Sequence, residues 1–154
     1  MKPPSGVALL LAQLGAHASD RFATRLAELD LTPAHAGVLR IIGQNPGLSQ
    51  QSVSERLGAA PSRVVKLVDE LEDKGLVERR RSVDDRRTYE LSIASGATQQ
   101  LAAVRSAVSQ HDAMLVASLS AEERQTLVSL LRRVAEAEGL RPGGAPERRD
   151  RSEP

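Results

Sequence analysis

The stretch from Pro61 to Ile93 constrains the fold more than any other, because the period of its apolar side chains changes once, at Lys74-Gly75. Before that point, in PSRVVKLVDELEDK, Val64, Val65, Leu67, Val68 and Leu71 recur at helical spacing and predict an amphipathic helix with its apolar stripe packed inward. Ser62, Arg63, Lys66, Glu70 and Asp73 take the opposite side. That polar face is divided along its length, with Ser62, Arg63 and Lys66 first and Asp69, Glu70, Glu72 and Asp73 beyond. A polyanion can therefore approach only the N-terminal end, as when a recognition helix meets a DNA major groove. After Gly75 the pattern alternates. LVERRR and TYELSI flank the polar SVDDRR, which predicts a β-hairpin with a charged tip.

The segments upstream supply a setting for this helix. Thr32 as N-cap and Pro33 at the first helical position predict a helix to Gly43 that buries Val38, Leu39, Ile41 and Ile42. Ser49 caps a short helix, Leu48 and Val53 form a hydrophobic staple across its start, and Gly58 closes it. A short helix, a tight turn and a helix with a basic N-terminal face make a helix-turn-helix, and the hairpin that follows makes it winged. Arg86 and Arg87 then sit near the wing tip, within reach of a minor groove. The plainer alternative is that Asp84, Asp85, Arg86 and Arg87 form a solvated, self-neutralising turn.

Three long helices enclose this unit. Val7, Leu10, Leu11, Leu14, Ala18, Phe22, Leu26 and Leu29 predict one over 5–29. A second, over 95–118, carries Leu101, Val104, Val108, His111 and Leu115 as a heptad-like seam. Ser120-Ala121-Glu122-Glu123 is a capping box opening a third, to Glu138, expected to bury Leu127, Leu130, Leu131 and Val134. Together these carry more apolar stripe than a small winged helix can cover, so the surplus needs a partner. From 139 onward Pro, Gly and charge dominate, and a disordered tail is expected.

Composition narrows the function classes. A chain of 154 residues with 40% hydrophobic content can bury one core. No apolar run reaches membrane-spanning length and no leader is evident, so a cytoplasmic location is expected. With no cysteine there is no disulfide, thiolate zinc site or thiol redox sensor. The net charge of +1 makes any basic patch local, and 1% aromatic residues disfavour single-strand binding by stacking. Scattered histidines and surface carboxylates without a Gly-rich phosphate loop offer no catalytic set, so no enzyme and no cofactor are expected. No two histidines lie at i,i+4 spacing, and no metal site is expected.

In this order the residues resemble the MarR (multiple antibiotic resistance regulator) family of bacterial winged-helix transcription factors, over residues 5–138. LTPAHAGVLRII and the block LVDELEDKGLVERR, followed by DDRR and LS…G, carry the resemblance. Ala60 and Ala94 depart from it by lacking a capping side chain, at a cost of about 1 kcal/mol each. The resemblance implies a mainly α fold with a small β-hairpin wing. It also implies an N-terminal dimerisation helix (1–30), a winged helix-turn-helix (31–93), C-terminal dimerisation helices (94–138) and a tail (139–154). The implied function is that of a homodimeric regulator, most often a repressor, on a palindromic double-stranded operator. A small-molecule pocket, often for phenolic or other aromatic anions, is implied between the dimer helices and the winged helix.

Candidate DNA contacts follow from side-chain chemistry. Arg63 can fork onto guanine O6 and N7, and Lys66 can meet phosphate or a guanine acceptor. Ser62, Ser49 and Gln50 are candidate phosphate donors. On the wing, Arg86 is the candidate for the minor groove with Asp85 holding it, Arg87 for the backbone, and Arg81 among the alternating strand arginines 79–81. His17, His35 and His111 are candidate pocket residues, although a histidine on an apolar stripe is more often a hydrogen-bonded packing residue. A winged helix that takes no effector, or one that binds protein, is the alternative function.

Overall fold

Where the apolar period changes, the backbone changes with it. The structure is a computed structural model and describes residues 6–140. It contains α1 (Val7–Ala27), α2 (Pro33–Gln44), α3 (Gln50–Leu57), α4 (Pro61–Asp73), β1 (Val77–Arg81), β2 (Tyr89–Ile93), α5 (Thr98–Leu115) and α6 (Ala121–Ala137). A 3-10 turn over Ser95–Ala97 precedes α5, so the helix expected from 95 starts three residues later and ends at Leu115 rather than 118. The tail expected from 139 lies, beyond Leu140, outside the described residues.

Local chemistry fixes the helix ends. Thr32 Oγ1 accepts from the His35 N–H at 3.3 Å, and the Thr32 N–H donates to His35 Nδ1 at 3.1 Å, a capping box in which histidine takes the place usual for Glu or Gln. Ser49 and Ser120 cap α3 and α6 as expected, and Gly58 ends α3 in the left-handed conformation. At Pro61 no side chain caps α4, and proline alone starts the helix.

The core belongs to the winged helix. Val38, Ile42, Val53, Val64, Val68, Leu71, Val77 and Leu91 are fully buried, and Leu26 of α1 joins them. α4 packs against α2, α3 and β1. Strands β1 and β2 pair antiparallel in the register Val77↔Ile93 to Arg81↔Tyr89. A third, one-residue strand escaped the sequence reading: Leu91 donates to the Leu48 carbonyl at 2.8 Å, while Gly47 donates to the Leu91 carbonyl at 2.9 Å. It anchors the wing's base to the start of α3.

Two expectations about burial are overturned. Val65, assigned to the packed stripe of α4, is 41% exposed. At about 100° per residue it points roughly 110° from the centre of the face shared by Val64, Leu67, Val68 and Leu71, which themselves lie within about 50° of it. The apolar side chains of α6 are likewise uncovered: Leu130, Leu131 and Val134 are exposed, Leu127 is half-buried, and the helix has no buried residue. In α1, Val7, Leu10, Leu11 and Leu14 are exposed and only Leu26 is buried. Only the first half of the α5 seam is filled, by Leu101, Val104 and Ala107, while Leu115 is exposed. Nothing among the described residues covers these stripes.

Candidate nucleic-acid interface

Because Val64, Leu67, Val68 and Leu71 pack inward, the outward face of α4 runs through Ser62, Arg63, Val65, Lys66, Asp69, Glu72 and Asp73. Ser62 and Arg63 are exposed, and the Lys66 side chain is 78% exposed. Three of the four acids in the C-terminal half of the helix, Asp69, Glu70 and Glu72, are engaged by the protein itself. Arg79 on β1 forks onto Asp69 and Glu72. Burial works against the charged guanidinium, but its hydrogen bonds to the two carboxylates and their negative charge outweigh it and raise the Arg79 pKa above the ordinary value. Glu70 Oε2 lies 2.7 Å from His35 Nε2, and its Oε1 lies 3.9 Å from Lys66 Nζ. Since His35 Nδ1 accepts from Thr32, the neutral ring carries its proton on Nε2 and donates it to Glu70.

Beyond α4, Lys74 pairs with Asp30 in the α1–α2 turn, and this hydrogen bond, helped by the lysine charge, holds the Asp30 carboxyl below its usual range. The three strand arginines separate. Arg79 turns to α4, Arg80 pairs with Glu78 at 2.6 Å, and Arg81 lies 5.7 Å from the centre of the Tyr89 ring.

The wing tip is a loop with its own hydrogen bonds. Ser82 Oγ accepts from the Asp84 and Asp85 N–H groups at 3.3 and 3.4 Å, and Asp85 Oδ1 accepts from the Arg87 N–H at 3.0 Å. One oxygen of the Asp85 carboxylate thus shapes the turn, as an aspartate two residues before an N–H can, and no ion pair between Asp85 and Arg86 is formed among the described residues. Arg86 and Arg87 are exposed.

At the start of α3, Ser49 acts as the expected cap and Gln50 is drawn partly into the protein. Ser49 Oγ accepts from the Ser52 N–H at 3.1 Å and lies 3.0 Å from Ser52 Oγ, and Gln50 Nε2 is buried without a partner among the described residues. The first backbone N–H groups of α3 still lack intrahelical acceptors, as at any helix start.

The three histidines have different surroundings. His17 is exposed on α1, His35 is buried at the α2–α4 junction, and His111 stacks on Phe22 with ring centroids 5.0 Å apart. An open depression of about 550 Å³ lies along α6, lined by Arg124, Val128 and Arg132 among others and by none of these histidines.

Comparison with known proteins agrees with this arrangement. The model of the MarR family matches residues 29–88, from the turn before α2 to the wing. The proposed transcriptional regulatory protein for the hcr operon of Thauera aromatica is 38% identical over 117 residues, covering 76% of this chain and 70% of that protein. The transcriptional repressor CouR, bound to a 23-mer DNA duplex, superposes with a TM-score of 0.77 at 29% identity, covering 88% of this chain and 98% of its own. Wild-type MarR from E. coli in its apo form superposes with a TM-score of 0.72 at 24% identity over 84% of this chain and 96% of its own, a likeness of fold. Among the described residues no helix is long and apolar enough to cross a membrane. This chain belongs to the MarR family of winged-helix, DNA-binding transcriptional regulators.

Proposed function

We propose that this regulator is a repressor that grips a palindromic double-stranded operator as a homodimer, with α4 in the major groove and the β1–β2 wing at the adjoining minor groove. The observation that carries the reading is the division of α4. Asp69, Glu70 and Glu72 are engaged by Arg79 and His35, and the exposed Ser62, Arg63 and Lys66 are left toward solvent. Only that end can meet a polyanion without repulsion. Arg81, Arg86 and Arg87 serve the wing, Asp85 sets the tip that carries them, and the start of α3 at Ser49 and Gln50 offers backbone N–H groups to phosphate. The duplex-bound repressor CouR, at 29% identity, supports the DNA partner and the repressing role.

The unburied stripes of α1 and α6 support the homodimer, in which residues 1–30 and 94–138 are the dimerisation helices around a winged helix at 31–93. Release by a small aromatic or phenolic effector, held between those helices and the winged helix near His17, His35 or His111, rests on the family resemblance alone. The test is titration of the full chain against a duplex selected from random sequence, at several salt concentrations. Arg86→Ala is expected to cost about 1–3 kcal/mol of binding, and Lys66→Ala to lower the salt-dependence slope by roughly one unit. Unchanged binding in both variants would refute the docking arrangement.

A further inference from the structure

Val65 is the one aliphatic side chain on the outward face of α4, where it lies 41% exposed and outside the buried core. Its neighbours at helical spacing are Ser62, three residues before, and Asp69, four residues after, with Lys66 adjoining. It sits in the same first two turns as Arg63 and Lys66, the segment offered to the groove floor. Scattered surface valines are common. This one stands on a face that is otherwise wholly polar, and as a β-branched residue in an exposed helix position it gains nothing locally over alanine or lysine.

We infer that Val65 is a specificity-determining residue that reads the 5-methyl group of a thymine in each half-site of the operator. This rests on the proposal that α4 enters the major groove. The floor of that groove presents hydrogen-bonding edges to Ser62, Arg63 and Lys66, and one apolar feature, the thymine methyl, to a residue with no polar atom. A β-branched side chain suits the task because its single preferred helical rotamer fixes both methyl groups before DNA arrives, so little freedom is lost on contact. A cytosine at that position lacks the methyl and brings an amino group that valine cannot pair.

The test uses the full chain and the selected duplex, with each thymine replaced in turn by deoxyuridine, which keeps the hydrogen-bonding edge and removes only the methyl. Burying one methyl corresponds to about a fourfold change in a binding constant, so one thymine per half-site should show a loss of about fourfold, and about 15-fold when both half-sites are changed. In Val65→Ala the loss on deoxyuridine substitution at that position should vanish, while the losses at other thymines stay as they are. Val65 lies outside the buried core, so Val65→Ala should keep the parent's fold, which circular dichroism checks. Equal deoxyuridine sensitivity in parent and variant, or no sensitive thymine anywhere, overturns the inference while duplex binding itself survives. Failure to bind any duplex overturns the groove reading and this inference with it.

Discussion

Arg79 should behave as a structural clamp and not as a DNA contact, and its replacement separates the two roles. Its side chain is 19% exposed and joins β1 to α4 through Asp69 and Glu72, whose side chains are 54% and 41% exposed. Arg79→Ala removes two pairs whose acceptors water can resolvate, so each is worth about 0.5 kcal/mol, the value of a surface pair. It also strips the buried stem. Two lost methylenes at about 0.8 kcal/mol each bring the expected destabilisation to about 2.5 kcal/mol. Arg79→Met keeps the stem and should lose about 1 kcal/mol. Both variants uncover the same two carboxylates beside Arg63 and Lys66. A charge about 10 Å from a phosphate costs about 0.4 kcal/mol in water before screening, so both should bind DNA two- to fivefold more weakly at low salt, and to the same extent. Urea unfolding at one fixed protomer concentration, with fluorescence anisotropy on the selected duplex, measures the two effects separately. A loss of stability below about 0.5 kcal/mol in Arg79→Ala, or equal losses in both variants, would refute the assignment of stem and clamp.

Asp30→Asn should remove a pH-dependent increment of stability. The hydrogen bond and charge of Lys74 hold the Asp30 carboxyl below the ordinary aspartate range, so its contribution is present at and above that range and is lost as pH falls through the lower folded value. Melting temperatures of parent and variant should therefore differ at neutral pH and converge in strong acid. Divergence on acidification would refute the pairing. Leu130→Asp, on the 49% exposed face of α6, should shift the chain toward monomer in sedimentation by at least 100-fold in dissociation constant. Each copy loses a leucine worth about 1.5–3 kcal/mol if buried, and the two-fold axis counts it twice. An unchanged dimer would move the interface elsewhere.

What the sequence revealed of the fold was mostly what neighbouring residues decide among themselves. Thr32-Pro33, Ser49 and the Ser120–Glu123 box marked helix starts because a cap is a contact across three residues. The hairpin was legible from alternation. The Leu48 bridge was not, since a one-residue strand has no period to read. Val65 joins the apolar stripe by spacing, three residues before Val68, and only its angle of roughly 110° from the stripe's centre separates it from the buried face. His35 stood at the N3 position of a capping box, a readable signal, but its second partner Glu70 lies 35 residues away and no local pattern foretells it. Which strand arginine turns to α4 is equally a matter of tertiary packing: alternation puts Arg79 and Arg81 on one face and does not say that only Arg79 reaches Asp69 and Glu72. The apolar stripe of α6 is legible in the sequence, but its exposure is not, because no pattern within a helix says whether any other element of the fold will cover it.

Glu70 is where the two halves of α4 meet, and its geometry shows why the helix can serve fold and ligand at once. One carboxylate oxygen accepts from a buried histidine at 2.7 Å, while the other faces Lys66 at 3.9 Å. The short contact belongs to the partly buried junction with α2, where a lost partner would leave a polar group unsatisfied, so it is the one the fold keeps. The long one is an exposed i,i+4 pair worth a few tenths of a kcal/mol. A phosphate or guanine acceptor that can form a full charge-assisted hydrogen bond therefore draws Lys66 away at little cost, and Glu70 stays fixed by His35. In the proposed docking, held acids at one end and loosely paired cations at the other suit the same 13-residue helix to be core and reader together.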